Sequence, residues 1–277
     1  MLTTVVLPER EPLLRVVEEY LRSPDYKQPL AAGQTDLMSR ADLSIETLLG
    51  LCSAHPEVEA RILALAASPS YGTGVAIKTL DQAVLWLGMR TLSDLYLESV
   101  MYHFVFQVPG YEALVGPVRY HSLAVAHIAR QLCVRARVAS ESAFAAGILH
   151  EAGLAVGVAG LARMRGPADG NELRLAPVLL AARSDLSGRV ARAWRLPPDV
   201  TIPVLQLQRR AAPRDVQSAV LSLADALATK IGRGLDVLGE PDPNFDTMLA
   251  AAEVLGLLPA QIDAIAFEVD KMLLALG

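Results

Sequence analysis

The chain has 277 residues, is 52% hydrophobic with few aromatics, and carries a net charge of −5. That length supports a sizeable core and one or two domains, and the negative balance argues against non-specific nucleic-acid binding as a main activity. The two cysteines, Cys52 and Cys133, lack the spacing of a zinc or redox motif and read as buried reduced thiols of a cytosolic protein.

The N-terminal run MLTTVVLPEREP has no basic region and is too short in its apolar part for a signal peptide. Residues 10–22, REPLLRVVEEYLR, form an amphipathic helix with Pro12 near its start, which SPDYKQP ends. Residues 42–53 and 56–67 give two further helices, the second with Pro56 in its first turn and His55 just before it. SPSYGTG reads as a turn without the lysine of a phosphate loop. Thr79 opens the next helix, with Gln82 at capping-box spacing; Leu80, Ala83, Val84 and Leu87 share a face, and Gly88 can end it. Helix resumes over 90–106 and stops at Pro109-Gly110.

A helix over about 117–135 follows, and Ser140 can cap the one after it, with Glu141 in its first turn. RGPADGNE is a polar loop, and helices are expected over about 175–194, 198–209 and 213–230. GEPDPNF breaks the chain before two short helices, the last entered through Pro259. Arg209, Arg210 and Arg214 form a basic cluster that reads as a solvated charge run. With no strand ladder, internal repeat or evident inter-domain linker, the expected class is all-α.

Residues 142–162, SAFAAGILHEAGLAVGVAGLA, have the length of a membrane span, but Glu151 would lie near the bilayer centre, where a carboxylate is expensive. No second span shelters it. The expectation is therefore a buried helix of a soluble protein, broken near one of its glycines, with no membrane span.

That stretch sets His150 and Glu151 side by side among small and apolar residues. Unpartnered buried charges are costly, so partners are required. Counting at about 100° per residue, His121 lies on the stripe of Val125, Ile128 and Leu132, whereas His127 falls at its flank. An inward His121 can meet His150 and Glu151 if the two helices pack, and imidazole with carboxylate suits a divalent metal. Asp225 is the candidate fourth group, although Val216, Val220, Leu223 and Leu227 mark the opposite side of its helix. Leu221 and Ala228 flank the Asp225 face, which points to burial on two sides. An internal hydrogen-bonded cluster and a metal site both remain open on this pattern, which is not the HExxH arrangement, since position 154 is Leu. His103, Trp86 and Trp194 read as packing residues, His103 at or near the surface and the tryptophans in the core or at its edge.

Three stretches carry a family resemblance: ILALAASPSYGTGVAIKTLDQAVLWLGMRTLSDL (62–95), RYHSLAVAHIARQL (119–132) and AFAAGILHEAGLAV (143–156), with VLSLADALA (220–228) behind them. In this order they resemble the HDOD family, the HD-related output domain of bacterial signalling proteins, over about 13–230. The resemblance implies an all-α fold of two packed helical subdomains, an N-terminal one over 1–112 and an HD-like one over 113–277 with a C-terminal helical extension. It implies His121, His150, Glu151 and Asp225 at the metal-ligand positions of the wider HD phosphohydrolase superfamily, with Glu151 where Asp is usual. The Asn-Ser turn reads Ala67-Ser68, the segment LQLQRRAAP (205–213) lacks the histidines often found there, and no GYP motif is present. The departures favour a cytoplasmic, non-enzymatic regulatory module with no cofactor. Its partners would be signalling proteins such as cyclases or sensors, or a nucleotide ligand. The alternative is a phosphohydrolase using Mn, Fe, Mg or Zn on a nucleotide or cyclic dinucleotide.

Overall fold

Local capping sets several helix starts. In a computed structural model, which describes residues 9–24, 26, 28–30, 44–71, 77–139, 141–166, 168–239 and 245–276, all regular structure among the described residues is helical. Helix α1 spans Arg10–Arg22. Helix α2 (Ile45–Ser53) begins at Ser44, whose hydroxyl accepts from the Thr47 amide at 3.2 Å. Pro56 opens α3 (Pro56–Ala66), with His55 as its cap position. For α4 (Leu80–Phe104), Thr79 accepts from the Gln82 amide, while the Gln82 side chain reaches back to the Lys78 amide at 2.8 Å, one residue beyond a regular capping box. Gly88, at φ 77°, breaks α4 into two segments, the left-handed conformation that glycine adopts without strain.

Helix α5 spans Glu112–Ala136, so it starts earlier than expected and carries Pro117 inside it. Helices α6 (Ala143–Leu149) and α7 (Ala152–Arg165) follow, then α8 (Ala176–Ala193), α9 (Pro198–Gln208) and α10 (Val216–Ala228), the last capped by the Asp215 carboxylate on the Ser218 amide at 2.8 Å. The expected cap Ser140 and most of GEPDPNF lie outside the described residues. Helices α11 (Phe245–Leu255) and α12 (Pro259–Leu276) close the chain. The last is longer than expected because Ile262, Ile265, Ala266, Val269 and Leu273 keep one buried stripe going.

Every residue of α6 is buried, and α5, α10 and α9 pack around it. α7 lies against α8, with α1 across both. α12 packs on α5, and α11 on α10. By length and composition Ala143–Arg165 could cross a membrane, but 94% of its apolar window is buried inside the fold. Cys52 and Cys133 are buried and reduced, and Trp194 is buried with its Nε1 donating to Tyr26 Oη at 2.6 Å. Trp86, expected in or beside the core, is 53% exposed. It lies about 110° around the helix from the stripe of Leu80, Ala83, Val84 and Leu87.

The break expected near a glycine falls at His150 and Glu151, between Gly147 and Gly153, and those two glycines themselves serve as contact points. A Cβ on Gly147 would meet the Ala126 Cα at 2.5 Å, and one on Gly153 would meet the Ser187 amide nitrogen at 2.5 Å. Both obstacles are backbone, which cannot swing aside. Gly147→Ala and Gly153→Ala are therefore expected to cost roughly 1–3 kcal/mol each, read as a lower urea midpoint at constant m-value. Gly116→Ala, in helix α5 with open space around it, should gain up to about 1 kcal/mol.

Candidate functional site

The two glycine contacts determine which side chains meet. Gly147 rests on Val125–Ala126 of α5, one turn beyond His121; Gly153 rests on Ser187 of α8, one turn beyond Arg183. His121 and Arg183 are thereby brought from opposite sides onto the break between α6 and α7, where His150 and Glu151 sit fully buried. Asp225 reaches the same point from α10, and Gln208 from the end of α9.

The geometry is a convergence of acceptors. His150 Nδ1 donates to the Gly147 carbonyl at 2.6 Å. Its Nε2 then presents a lone pair 3.5 Å from Glu151 Oε1 and 3.7 Å from Asp225 Oδ1, with no hydrogen-bond partner. Burial and the neighbouring His121 push the His150 pKa down to about 3, so the ring is neutral. His121 meets an acceptor at each nitrogen: the Arg233 carbonyl at 2.7 Å from Nδ1 and Asp225 Oδ1 at 3.0 Å from Nε2. Burial acts to raise the Asp225 pKa, but the hydrogen bond and electrostatic attraction of His121, with that of Arg183, outweigh it and bring it down to about 2. Glu151 Oε1 accepts from Arg183 Nη2 and from Gln208 Nε2, the latter at 3.2 Å. Gln208 Nε2 also reaches the His150 carbonyl at 2.9 Å, and so caps the helix break. Glu151 Oε2 has no partner.

The four residues singled out in the sequence, His121, His150, Glu151 and Asp225, are thus brought together. Ligand atoms of His121, His150 and Glu151 lie within 4.8 Å of one another. As donors they suit a divalent cation: two imidazoles, each with Nδ1 anchored on a backbone carbonyl so that Nε2 faces inward, and two carboxylates. The orphaned His150 Nε2 and Glu151 Oε2 would be satisfied by one. Against it stands Arg183, whose guanidinium already neutralises Glu151. Arg183 was not legible in the sequence, where it reads as an ordinary charge in AARSDLSGRV. Gln208 had a signal: it lies in the 205–213 segment marked by its lack of histidine. His127, placed at a flank by counting, is buried beside Glu98, 3.5 Å from Oε2, in a separate cluster. His103 is half-buried against Tyr102, and its pKa is lowered by burial and by Arg61.

The HDOD domain family model matches residues 30–209. A candidate phosphohydrolase from Shewanella amazonensis SB2B superposes with a TM-score of 0.64 at 23% identity, over 96% of this chain and 98% of that one. An HDOD domain protein from Geobacter sulfurreducens gives 0.57 at 20%, over 95% and 98%. A candidate metal-dependent phosphohydrolase from Shewanella amazonensis SB2B gives 0.64 at 16%, over 98% and 93%. At these identities the likeness is one of fold. No curated protein matches the chain.

The depressed His150 pKa has a sign in stability. An unfolded histidine takes up a proton near pH 6.5 and the folded one only near pH 3, so stability is full above about 6.5 and falls as pH drops through that window. Asp225 adds its own loss only below about 3.8. In EDTA-treated protein, unfolding free energy should fall by about 1 kcal/mol per pH unit between 6 and 4.5. In His150→Leu that slope should largely vanish, whatever the height of its plateau; an unchanged slope would assign the effect elsewhere.

Proposed function

The chain belongs to the HDOD domain family, and we propose that it is a bacterial, cytoplasmic regulatory module that acts by contact with signalling proteins such as cyclases or sensors, or with a small ligand, and turns over no substrate. One observation carries this reading: each carboxylate of the centre already has a partner from within the chain, the Arg183 guanidinium on Glu151 and the His121 ring on Asp225. A metal entering here would have to break the His121–Asp225 contact and work against the Arg183 guanidinium beside Glu151, and at low effective dielectric that repulsion is severe.

A second reading has an observation of its own. The buried His150 Nε2 and Glu151 Oε2 lack partners, which is unusual for interior polar atoms. In a metal-dependent phosphohydrolase, His121, His150, Glu151 and Asp225 would hold the ion. A bound divalent ion supplies Lewis-acid polarisation of a phosphoryl group and a more acidic water. The residues' part would be to orient that ion, with His121 and His150 fixed through the Arg233 and Gly147 carbonyls.

Elemental analysis of untagged protein prepared without chelator separates the two. The regulatory reading expects no stoichiometric metal and no hydrolysis of nucleotides or cyclic dinucleotides. About one metal per chain, lost in His150→Ala together with turnover, would establish the hydrolase instead. Stability gives an independent measure. Arg183→Leu strands a buried carboxylate and should cost roughly 3–5 kcal/mol, while Arg183→Leu with Glu151→Leu should recover most of it. In the single variant, added Mn²⁺ should raise the melting temperature by more than it does in wild type, because the guanidinium that repels it is gone.

A further inference from the structure

Beyond the centre, on the Nδ1 side of His121, a cavity of about 370 Å³ lies between α3, α4, α5 and α12. Its apolar floor includes Phe106, Leu123 and Ile148. Its walls carry three guanidinium groups, Arg61, Arg119 and Arg233, against one lining carboxylate, Glu98, an excess of two positive charges. In a chain of net charge −5 this local excess calls for an anion.

Two of these arginines form a ladder with tyrosines. The Arg61 guanidinium stacks 3.7 Å from the Tyr102 ring centroid, and Arg119 lies 5.4 Å from Tyr102 and 4.7 Å from Tyr120. Tyr120 is 46% exposed at the mouth. None of the three cations is tightly neutralised. Arg61 meets Glu98 only at 3.4 Å, Arg233 meets Asp270 at 3.8 Å, and Arg119 has no ion pair among the described residues. Alternating guanidinium and aromatic planes accept a flat ring by stacking, and free guanidinium forks suit phosphate oxygens. The volume lies at the small end of the roughly 300–1,000 Å³ range of small-molecule pockets, which favours a mononucleotide over a dinucleotide.

We propose that this cavity binds a nucleoside monophosphate, its base stacked on the Tyr102–Arg119–Tyr120 ladder over the apolar floor and its phosphate held by the arginines. The site is separate from the buried histidine–carboxylate centre and stands whichever reading of that centre holds. The two are joined by one residue: Arg233 lines the cavity and holds His121 with its carbonyl.

Calorimetric titration of the full chain in EDTA tests this with AMP, GMP, CMP and UMP, beside adenosine and inorganic phosphate. At least one nucleotide should bind with a Kd below about 1 mM, at least tenfold tighter than adenosine or phosphate alone, and more weakly as salt rises. Arg119→Ala should weaken it at least tenfold. Tyr120→Ala, at an exposed position that should not trouble folding, should weaken it severalfold, and the distant exposed Arg214→Ala should leave it unchanged. His150→Ala should retain binding. No nucleotide binding by wild type, affinity indifferent to both Arg119→Ala and Tyr120→Ala, or binding abolished by His150→Ala in a folded variant would each overturn the proposal.

Discussion

Two carboxylates, Glu151 and Asp225, meet in the interior of a helical protein, and their neutralisation constrains everything around them. Glu151 is fully buried, and Asp225 is 19% exposed. Uncompensated, each would cost several kcal/mol or take up a proton. Arg183 and His121 must therefore arrive at the break between α6 and α7, and helices approach that closely only where side chains are missing. Gly147 and Gly153 provide those places, each packed one helical turn from the residue that meets a carboxylate, His121 or Arg183. The glycines of AAGILHEAGLAVG are thus part of the electrostatics, since they decide the distance over which charge is compensated.

The same constraint explains what could be read in the sequence. Helices bounded by Pro56, Thr79, Pro198 and Pro259 were legible because their signals are local: a fixed φ, a hydroxyl, a stripe of apolar residues. His121 was legible because it continues the apolar stripe of Val125, Ile128 and Leu132, whereas His127, set at the flank by the same count, is buried because α5 is covered on nearly all sides from His121 to Ala129. Asp225 was less so, because α10 is buried on nearly all sides from Ser218 to Ala228 and an all-round buried helix has no periodicity to follow. Arg183 gave no signal at all. Its charge matters only through a contact 32 residues away in sequence, and no local pattern separates a guanidinium that faces a buried glutamate from one that faces water. The family resemblance marks the quartet, but it does not mark the guanidinium that alters the quartet's chemistry.

A second buried polar cluster lies along the same α5 helix. Glu98 is 3% exposed, with Arg61 and His127 at 3.4 and 3.5 Å, and Arg130 pairs with Asp94 one turn away on α4. The contacts at Glu98 are long for hydrogen bonds, and Glu98 Oε2 and Arg61 Nε have no partner. Loosely satisfied buried charge is structurally expensive, whereas tightly satisfied charge such as Arg183 with Glu151 holds one arrangement. The two clusters thus differ in character: one is tied by the Arg183–Glu151 pair, the other lies beside a cavity lined by more arginines than carboxylates.

Arg233 stands where they meet. It closes the π-helical turn Thr229–Arg233, in which Gly232 takes φ 74°, a conformation that lets the chain reverse immediately before it. From there its carbonyl holds the His121 ring, while Arg233 also lines the cavity and its guanidinium meets Asp270 of α12 only at 3.8 Å. The His121 ring in turn contacts Asp225 Oδ1 at 3.0 Å through Nε2. The chain of contacts from cavity to carboxylate is therefore three residues long, Arg233, His121 and Asp225, each within hydrogen-bond distance of the next.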